Sequence, residues 1–261
     1  MNKYIDNIYS YKNALATLTR VNIKKTVSSS RLGWLWWLID PLILMLIYYF
    51  MVKVIFQRGG ENYHLFILCG IIIWQSFARI INTNTKALLS NRGLIRQVVI
   101  PYEILLSVPA FVQVFFIMIG AIIVMLLNHQ NIGMHSLAVI PLTILVGLFG
   151  TALGLFLSVF QVYIRDTAEF VRYAVRAGFF LSPVLYPPSR VMESDAIPAF
   201  VKTIYTLNPM VWIITAYRDV LLYGQLFEWS GYFNVLLYTL VILQGGLWWL
   251  RSQSSRVIKS L

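Results

Sequence analysis

Three histidines, His64, His129 and His135, and one cysteine, Cys69, are the soft metal ligands of this chain. The histidines follow neither an HxxxH nor an HExxH spacing, so they do not read as a metal site. Cys69 sits in an apolar run and reads as buried filler. A single cysteine excludes an intrachain disulfide and a thiolate cluster. Asp166 and Glu169 lie three apart and would share a helix face, giving one candidate carboxylate pair for work on a lipid phosphate. Arg165 and Arg172 flank them, so a charge cluster at a helix start fits the same residues. No GxSxG nucleophile elbow and no GxxxxGKS/T phosphate loop occurs. The chain is therefore not expected to be an enzyme by itself or to hydrolyse ATP alone.

The elements that must carry these residues are apolar. Of 261 residues, 59% are hydrophobic and 12% charged, against about 25% charged in a soluble domain. Mean hydropathy is +0.72. These values point to one integral membrane domain over 1–261. The net charge of +11 comes from 21 Lys plus Arg against 10 Asp plus Glu. Basic residues held on the cytoplasmic side explain such an excess, with no nucleic-acid partner needed. Residues 1–30 hold Lys3, Lys12, Arg20, Lys24 and Lys25 without a continuous apolar core, unlike a cleavable signal peptide.

Six spans are predicted, within an all-α integral membrane fold. Four are plain: Trp34 to Val54, Ile104 to Leu127, Leu137 to Tyr163 and Tyr232 to Leu250. Each reaches or approaches the roughly 20 residues that a helical span needs. Leu65 to Ile81 carries Arg79 near one end. Phe170 to Tyr186 carries Arg172 and Arg176 early, and such basic ends snorkel to the interface. Spans one to five thus occupy 34–186, and span six 232–250. Fourteen basic residues fall in the segments that six spans place inside, and four in the outer loops. This bias puts both termini, including the tail 251–261, in the cytoplasm. The uncharged spans hold only Ser, Thr, Gln and Gly as polar groups at mid-membrane, so a proton or sodium relay has little support. Gly150 and Gly154 form a GxxxG, and Ala174 and Gly178 repeat its spacing, which allows close helix contact.

Two flanking regions are patterned as well. Residues 187–231 are too long for a plain outer loop. Pro198 opens one short helix, Asn208-Pro209 breaks it, and Met210 to Leu222 forms a second. Both read as extracytoplasmic or re-entrant pieces, and a dip into the leaflet requires protein or a wet cavity to satisfy the backbone. Tyr4, Ile8, Tyr11, Leu15 and Leu18 recur at helical spacing, with Lys12, Arg20, Lys24 and Lys25 mostly off the stripe. This suits an amphipathic helix in the inner interface, attracted to anionic membrane lipid. A cytoplasmic helix packed on the loops has the same pattern.

Five local patterns occur in order: "SSRLGWLWWLIDPLI" (Ser29 to Ile43), "VVIPYEIL" (Val98 to Leu105), "YIRDTAEF" (Tyr163 to Phe170), "FFLSPVLYPP" (Phe179 to Pro188) and "LNPMVWIITAYRDVLLYGQ" (Leu207 to Gln225). As an ordered set, they resemble the ABC-2 type permease subunits of bacterial exporters for lipid-linked polysaccharide. That group covers O-antigen, capsule and wall teichoic acid, and the C-terminal half looks most like the teichoic acid branch. The resemblance covers essentially the whole chain. It implies a homodimer in the bacterial cytoplasmic membrane, joined by two copies of a separate ATPase subunit. That subunit would bind ATP and Mg, leaving no cofactor in this chain. It also implies that the N-terminal helix and the loop between spans two and three, with Lys86, Arg92, Arg96 and Pro101, meet the ATPase. A plain solvated loop has the same composition.

A substrate with a diphosphate, a polyprenyl chain and a glycan sets the remaining expectations. Lys24, Lys25, Arg31 and the deeper Arg79 are candidates for the diphosphate at the inner mouth. Positive-inside anchoring explains each of them equally. Aromatic rings stack on sugar faces, so Tyr48, Tyr49, Trp74, Phe77, Phe179, Phe180 and Tyr186 are candidates for a glycan path. Lipid-facing belts and core packing compete for every ring. Trp34, Trp36 and Trp37 read as an interfacial anchor. A drug or small-lipid exporter permease shares the architecture. The lipid-phosphate enzyme on Asp166 and Glu169 and a membrane scaffold are the readings of other classes.

Overall fold

The computed structural model describes residues 2–28, 33, 35–97 and 100–260, with side chains described at 4–25, 33, 35–97 and 100–253. Arg31 and Trp34, and parts of the first two patterns, lie outside the described residues. Among those described, all regular structure is helical. Two helices open the chain, α1 (Asn2–Ser10) and α2 (Lys12–Ser28). Then come α3 (Leu35–Tyr49), continued by a π turn at Phe50–Ile55, α4 (Tyr63–Ser90), the short α5 (Arg92–Gln97) and α6 (Tyr102–Leu127). After them follow α7 (Val139–Tyr163), α8 (Thr167–Leu181), α9 (Ser189–Met192), α10 (Ala199–Leu207), α11 (Pro209–Leu221) and α12 (Trp229–Ser260).

Among the described residues, five helical stretches are long and apolar enough to cross a bilayer: Leu35–Ile55, Tyr63–Ser90, Tyr102–Leu127, Met134–Tyr163 and Trp229–Gln253. The chain is a multi-pass membrane protein. The predicted fifth span differs from these. Its helix ends at Leu181, where Ser182 turns to extended backbone before Pro183. Its 15 residues rise about 22 Å, less than the roughly 30 Å hydrocarbon layer. The second span differs in the other direction and runs to Ser90. Lys86 therefore lies on a helix and not in a loop.

The core is built around α4, which packs against α3, α6, α7, α8 and α11. The α4–α7 contact explains the GxxxG. A Cβ on Gly150 would sit 2.7 Å from Ile80, and one on Gly154 would sit 2.5 Å from Asn84. The small residues thus bring α7 onto α4 within one chain, which maximises dispersion contact where lipid supplies no hydrophobic drive. Gly246 does the same for α12, resting on Leu155 of α7.

The N-terminal stripe is covered by protein. Tyr4 and Leu15 are buried, and Ile8, Tyr11 and Leu18 pack with Ile104, Val108, Val112 and Phe116 of α6 or against Trp37. The Tyr4 hydroxyl is 2.8 Å from Ser107 Oγ, and Asn7 Nδ2 donates to Glu103 Oε1 at 3.0 Å. A single helix over this region was expected. The chain instead bends at Tyr11 into two helices, which lets both pieces lay apolar residues on α6. Glu103 also accepts from Arg251 of α12 at 3.1 Å, which ties the two ends of the chain together.

Candidate functional site

One end of the bundle carries residues 56–62, 128–138 and 182–228, and is called the upper end here. The other carries 91–97, 100–101 and 164–166. Helix α8 begins at this lower end, after the turn at Ile164–Asp166, and climbs beside α3 and α4. Arg172, Val175, Arg176, Phe179 and Phe180 recur at intervals of three, one, three and one residues, so they form one face. Opposite them stand Leu44 and Tyr48 of α3, with Trp74 and Gln75 of α4. Together these line an open groove of about 220 Å³.

The rings in the groove touch. Tyr48 and Phe179 lie 5.5 Å apart between centroids, Trp74 and Phe179 6.4 Å, and Phe179 and Phe180 5.1 Å. A Cβ on Gly178 would lie 2.8 Å from Trp74, so glycine is what lets α8 approach this indole. The guanidiniums of Arg172 and Arg176 lie on the lower part of the same face. Each sits over the Tyr173 ring, at 5.6 and 5.9 Å. Arg172 is also paired with Glu169. Seven residues separate Arg172 from Phe179, a rise of about 10 Å. Just beside the groove, Asp40 Oδ2 accepts from Arg79 at 3.1 Å and from Gln75 at 3.2 Å. The arrangement sets anion-binding forks below and flat apolar faces above.

Four of the seven predicted path rings therefore meet here: Tyr48, Trp74, Phe179 and Phe180. Phe77 is core, 5% exposed and stacked on Phe149 at 5.3 Å. Tyr49 sits edge-on to His64 at 6.2 Å. Tyr186 lies higher, its hydroxyl donating to the Phe180 carbonyl at 3.0 Å. Of the predicted cations, Arg79 borders the groove in its ion pair. Lys24 and Lys25 are exposed on the last turn of α2. Arg172, Arg176 and Gln75 were not among the sequence candidates, although the spacing of 172, 176, 179 and 180 carried the signal. Lys86, Arg92 and Arg96 are exposed at the lower end of α4 and on α5, and Pro101 caps the start of α6.

Above the groove, the chain end of α8 is locked. Asn208 caps α11, accepting from Met210 N at 3.0 Å, while Pro209 fills the first helical position. The Asn208 amide also donates to Ser182 Oγ at 3.0 Å. Arg218, 2% exposed, points from α11 into the junction of α4 and the turn after α8. It donates to Pro183 O at 2.5 Å, to Val184 O at 2.8 Å and to Phe66 O at 3.1 Å. Its guanidinium lies 3.4 Å over the Phe66 ring. Burial pulls its pKa down to about 10, so it stays charged at neutral pH. Gly70 makes room for it, since a Cβ there would meet Arg218 Nη2 at 2.7 Å and Val184 O at 2.8 Å. Beside this junction, Thr143 and Tyr217 share a buried hydroxyl contact of 2.6 Å.

Asp166 and Glu169 are both exposed at the start of α8, and Glu169 is occupied by Arg172. Among the described residues, no group of three or more His, Cys, Asp or Glu side chains gathers for a metal.

Comparison with known proteins comes to the same region of sequence. The ABC-2 type transporter family model matches residues 13–222. The chain is 29% identical over 235 residues to the O-antigen export system permease protein RfbA of Klebsiella pneumoniae, covering 88% of this chain and 87% of that protein. It is 26% identical over 226 residues to the protein of the same name from Myxococcus xanthus, covering 84% of each. A second Klebsiella pneumoniae RfbA is 28% identical over 217 residues, covering 81% of each.

Proposed function

We propose a function for this chain from one premise: it belongs to the ABC-2 type transporter family. It is the permease subunit of an ATP-driven exporter that moves a lipid-linked polysaccharide across the membrane. The groove between α3, α4 and α8 is the observation that carries this reading, because it puts two guanidiniums and a run of rings on one continuous wall. Arg forks suit a diphosphate headgroup. Rings above them suit sugar faces, and stacking tolerates variation in sequence and linkage. The relatives' O-antigen names support a polysaccharide cargo. An undecaprenyl-diphosphate-linked glycan, of the O-antigen or wall teichoic acid type, is the cargo proposed.

The groove lies open on one chain. Ile43, Leu46 and Ile47 of α3, Phe50 of the π turn after it, and Tyr173, Phe180 and Leu181 of α8 are exposed beside it. A second copy laid across these faces would close the groove into a conduit, which supports a homodimer. Helix α8 starts beside the lower end of α7 and delivers Pro183 and Val184 to Phe66, near the upper end of α4. That course supports a sixth crossing made by α8 with the turn after it. Six crossings and the basic lower end together support cytoplasmic termini in a bacterial cytoplasmic membrane. Lys86, Arg92, Arg96 and Pro101 then face the cytoplasm and dock the ATPase subunit, in two copies, which binds ATP and Mg. Lys24, Lys25, Arg31 and Arg79 supply the approach for the diphosphate, and Arg172 and Arg176 the seat inside the groove.

The test is purification of the tagged chain from native membranes in mild detergent, followed by ATP hydrolysis with and without vanadate. A stoichiometric ATPase partner with vanadate-sensitive turnover is expected. In cells that depend on this chain, the double variant Arg172→Ala/Arg176→Ala is expected to lower surface glycan at least tenfold with normal membrane insertion. Unchanged surface glycan would refute the groove as the path.

A further inference from the structure

A second cavity, of about 490 Å³, opens at the upper end and is separate from the groove. Its floor is fixed. The Tyr63 hydroxyl donates to Leu185 O at 2.6 Å, and Asn128 Nδ2 donates to Leu221 O and Leu222 O at 3.0 and 3.1 Å. Phe66 stacks beneath Tyr63 at 5.8 Å. Around this floor stand Glu61, Asn62, Arg190 and Tyr223, with Tyr186 at the side. Among the described residues, the side chains of Glu61, Asn62, Arg190 and Tyr223 take part in no hydrogen bond or ion pair of the fold. The wall formed by 59–62, and Gln57 just before it, carry strained backbone. Gln57 and Asn62 are the non-glycine residues with positive φ among those described, at 50° and 51°. Such backbone is costly, and it persists where the surroundings impose it.

We propose that this cavity binds a sugar unit of the exported glycan as it leaves the conduit, an inference that rests on the exporter reading. The chemistry selects that class. A carboxylate accepts from hydroxyls, a guanidinium donates to them, and an amide and a phenol do both. The rings of Tyr186 and Tyr223 offer faces for the apolar side of a sugar ring. One carboxylate is too few for a metal, and it repels a diphosphate. Four uncommitted polar side chains disfavour an acyl chain. The volume falls in the ordinary range for small-ligand sites. A unit held here after each forward step would oppose backward slip of the chain behind it.

The experiment uses the permease–ATPase complex in nanodiscs. The probe is the host's own surface polysaccharide, freed of lipid by mild acid and cut to short oligosaccharides. Binding is followed by saturation-transfer NMR and by titration. Glu61→Gln, Arg190→Ala and Tyr223→Ala are each expected to weaken it about tenfold, and Arg190→Lys to recover part of the loss. Arg165→Ala, at an exposed position of the lower end, is expected to leave this affinity as it was. Complex yield and thermal midpoint guard against misfolding. Equal affinity in all three cavity variants would overturn the proposal, as would displacement of the sugar by equimolar glycerophosphoethanolamine, which would make the site a headgroup pocket. If cells lacking the chain still display the glycan, the exporter reading itself falls and this inference with it. If display depends on the chain but wild type binds no oligosaccharide, the cavity proposal alone falls.

Discussion

Arg218→Met tests the lock at the upper end of α8. The substitution keeps much of the side-chain volume and removes the donors. Phe66 O keeps its helical partner, but Pro183 O and Val184 O lie past the end of α8, where no helical N–H reaches them. Each buried carbonyl left without a donor costs about 1–3 kcal/mol. Removing a buried cation returns part of its desolvation penalty. A net loss of about 3 kcal/mol, confined to the junction of α4, α11 and the turn, follows from these opposing terms. Cys69 reports it. It is the single cysteine of the chain, 1% exposed, and the immediate neighbour of Gly70. A thiol reagent reaches it only when this region opens, so labelling tracks the open population. At 1.4 kcal/mol per factor of ten, labelling should quicken about a hundredfold. Arg165→Met, at an exposed position, should not change it. A rate within threefold of wild type for Arg218→Met, with the same thermal midpoint, would refute the view that these carbonyls depend on the guanidinium.

Phe77→Ala and Phe179→Ala separate core from groove. The first should cost about 3–5 kcal/mol and lower the yield of folded permease, because Phe77 stacks on buried Phe149. The second should leave yield intact and slow glycan export severalfold in a cell-surface assay. Gly154→Ile places side chain into Asn84 and should separate α4 from α7; size-exclusion chromatography in detergent should show loss of the monodisperse species. Reversing Lys86, Arg92 and Arg96 to Glu should weaken ATPase-subunit recovery in pull-downs at least tenfold. Raising salt should weaken the wild-type association in the same direction, since these charges are exposed.

The long uncharged stretches were legible because a bilayer demands length and apolarity together. The GxxxG at Gly150 was legible too, although its partner was not. Failures came where polar residues are covered by protein. Asn82, Thr83, Asn84, Thr85 and Lys86 resemble a loop by hydropathy. In the fold Asn84 and Thr85 are buried, and Asn82 and Thr85 turn their side chains back onto the carbonyls of Ala78 and Ile81. A polar helix thus continues to Ser90 under cover of α7. Arg172 and Arg176 registered as basic ends suited to snorkelling, which says where a charge lies in depth but not which wall it faces. Arg218 registered as an interruption of an apolar pattern. That three carbonyls from two distant segments converge on it is a tertiary fact, and no spacing within residues 209–221 encodes it.

The distribution of burial says how such a permease can be driven from outside. Helices α4 and α7 are largely enclosed, whereas few residues of α3 or α12 are buried and the rest are half-buried or exposed. Close packing makes the α4–α7 pair resist deformation. Helix α3 is held on α4 through Asp40, which pairs with Arg79 at half-exposed side chains and accepts from Gln75, and on α8 through the ring contact of Tyr48 with Phe179. Exposed pairs of this kind contribute about 0–1 kcal/mol. Helix α8 is pinned at its upper end by Arg218, and at its lower end by the short turn from α7 and by the buried Ala168 and Val171. A push on the lower end of the bundle would therefore shift α3 past α4 more readily than it would separate α4 from α7, and so change the width of the groove. In the exporter proposed above, the work for this movement would come from the ATPase subunit proposed to dock at the lower end. The lock at Arg218 is then what turns that work into opening of the groove and not into bending of α8.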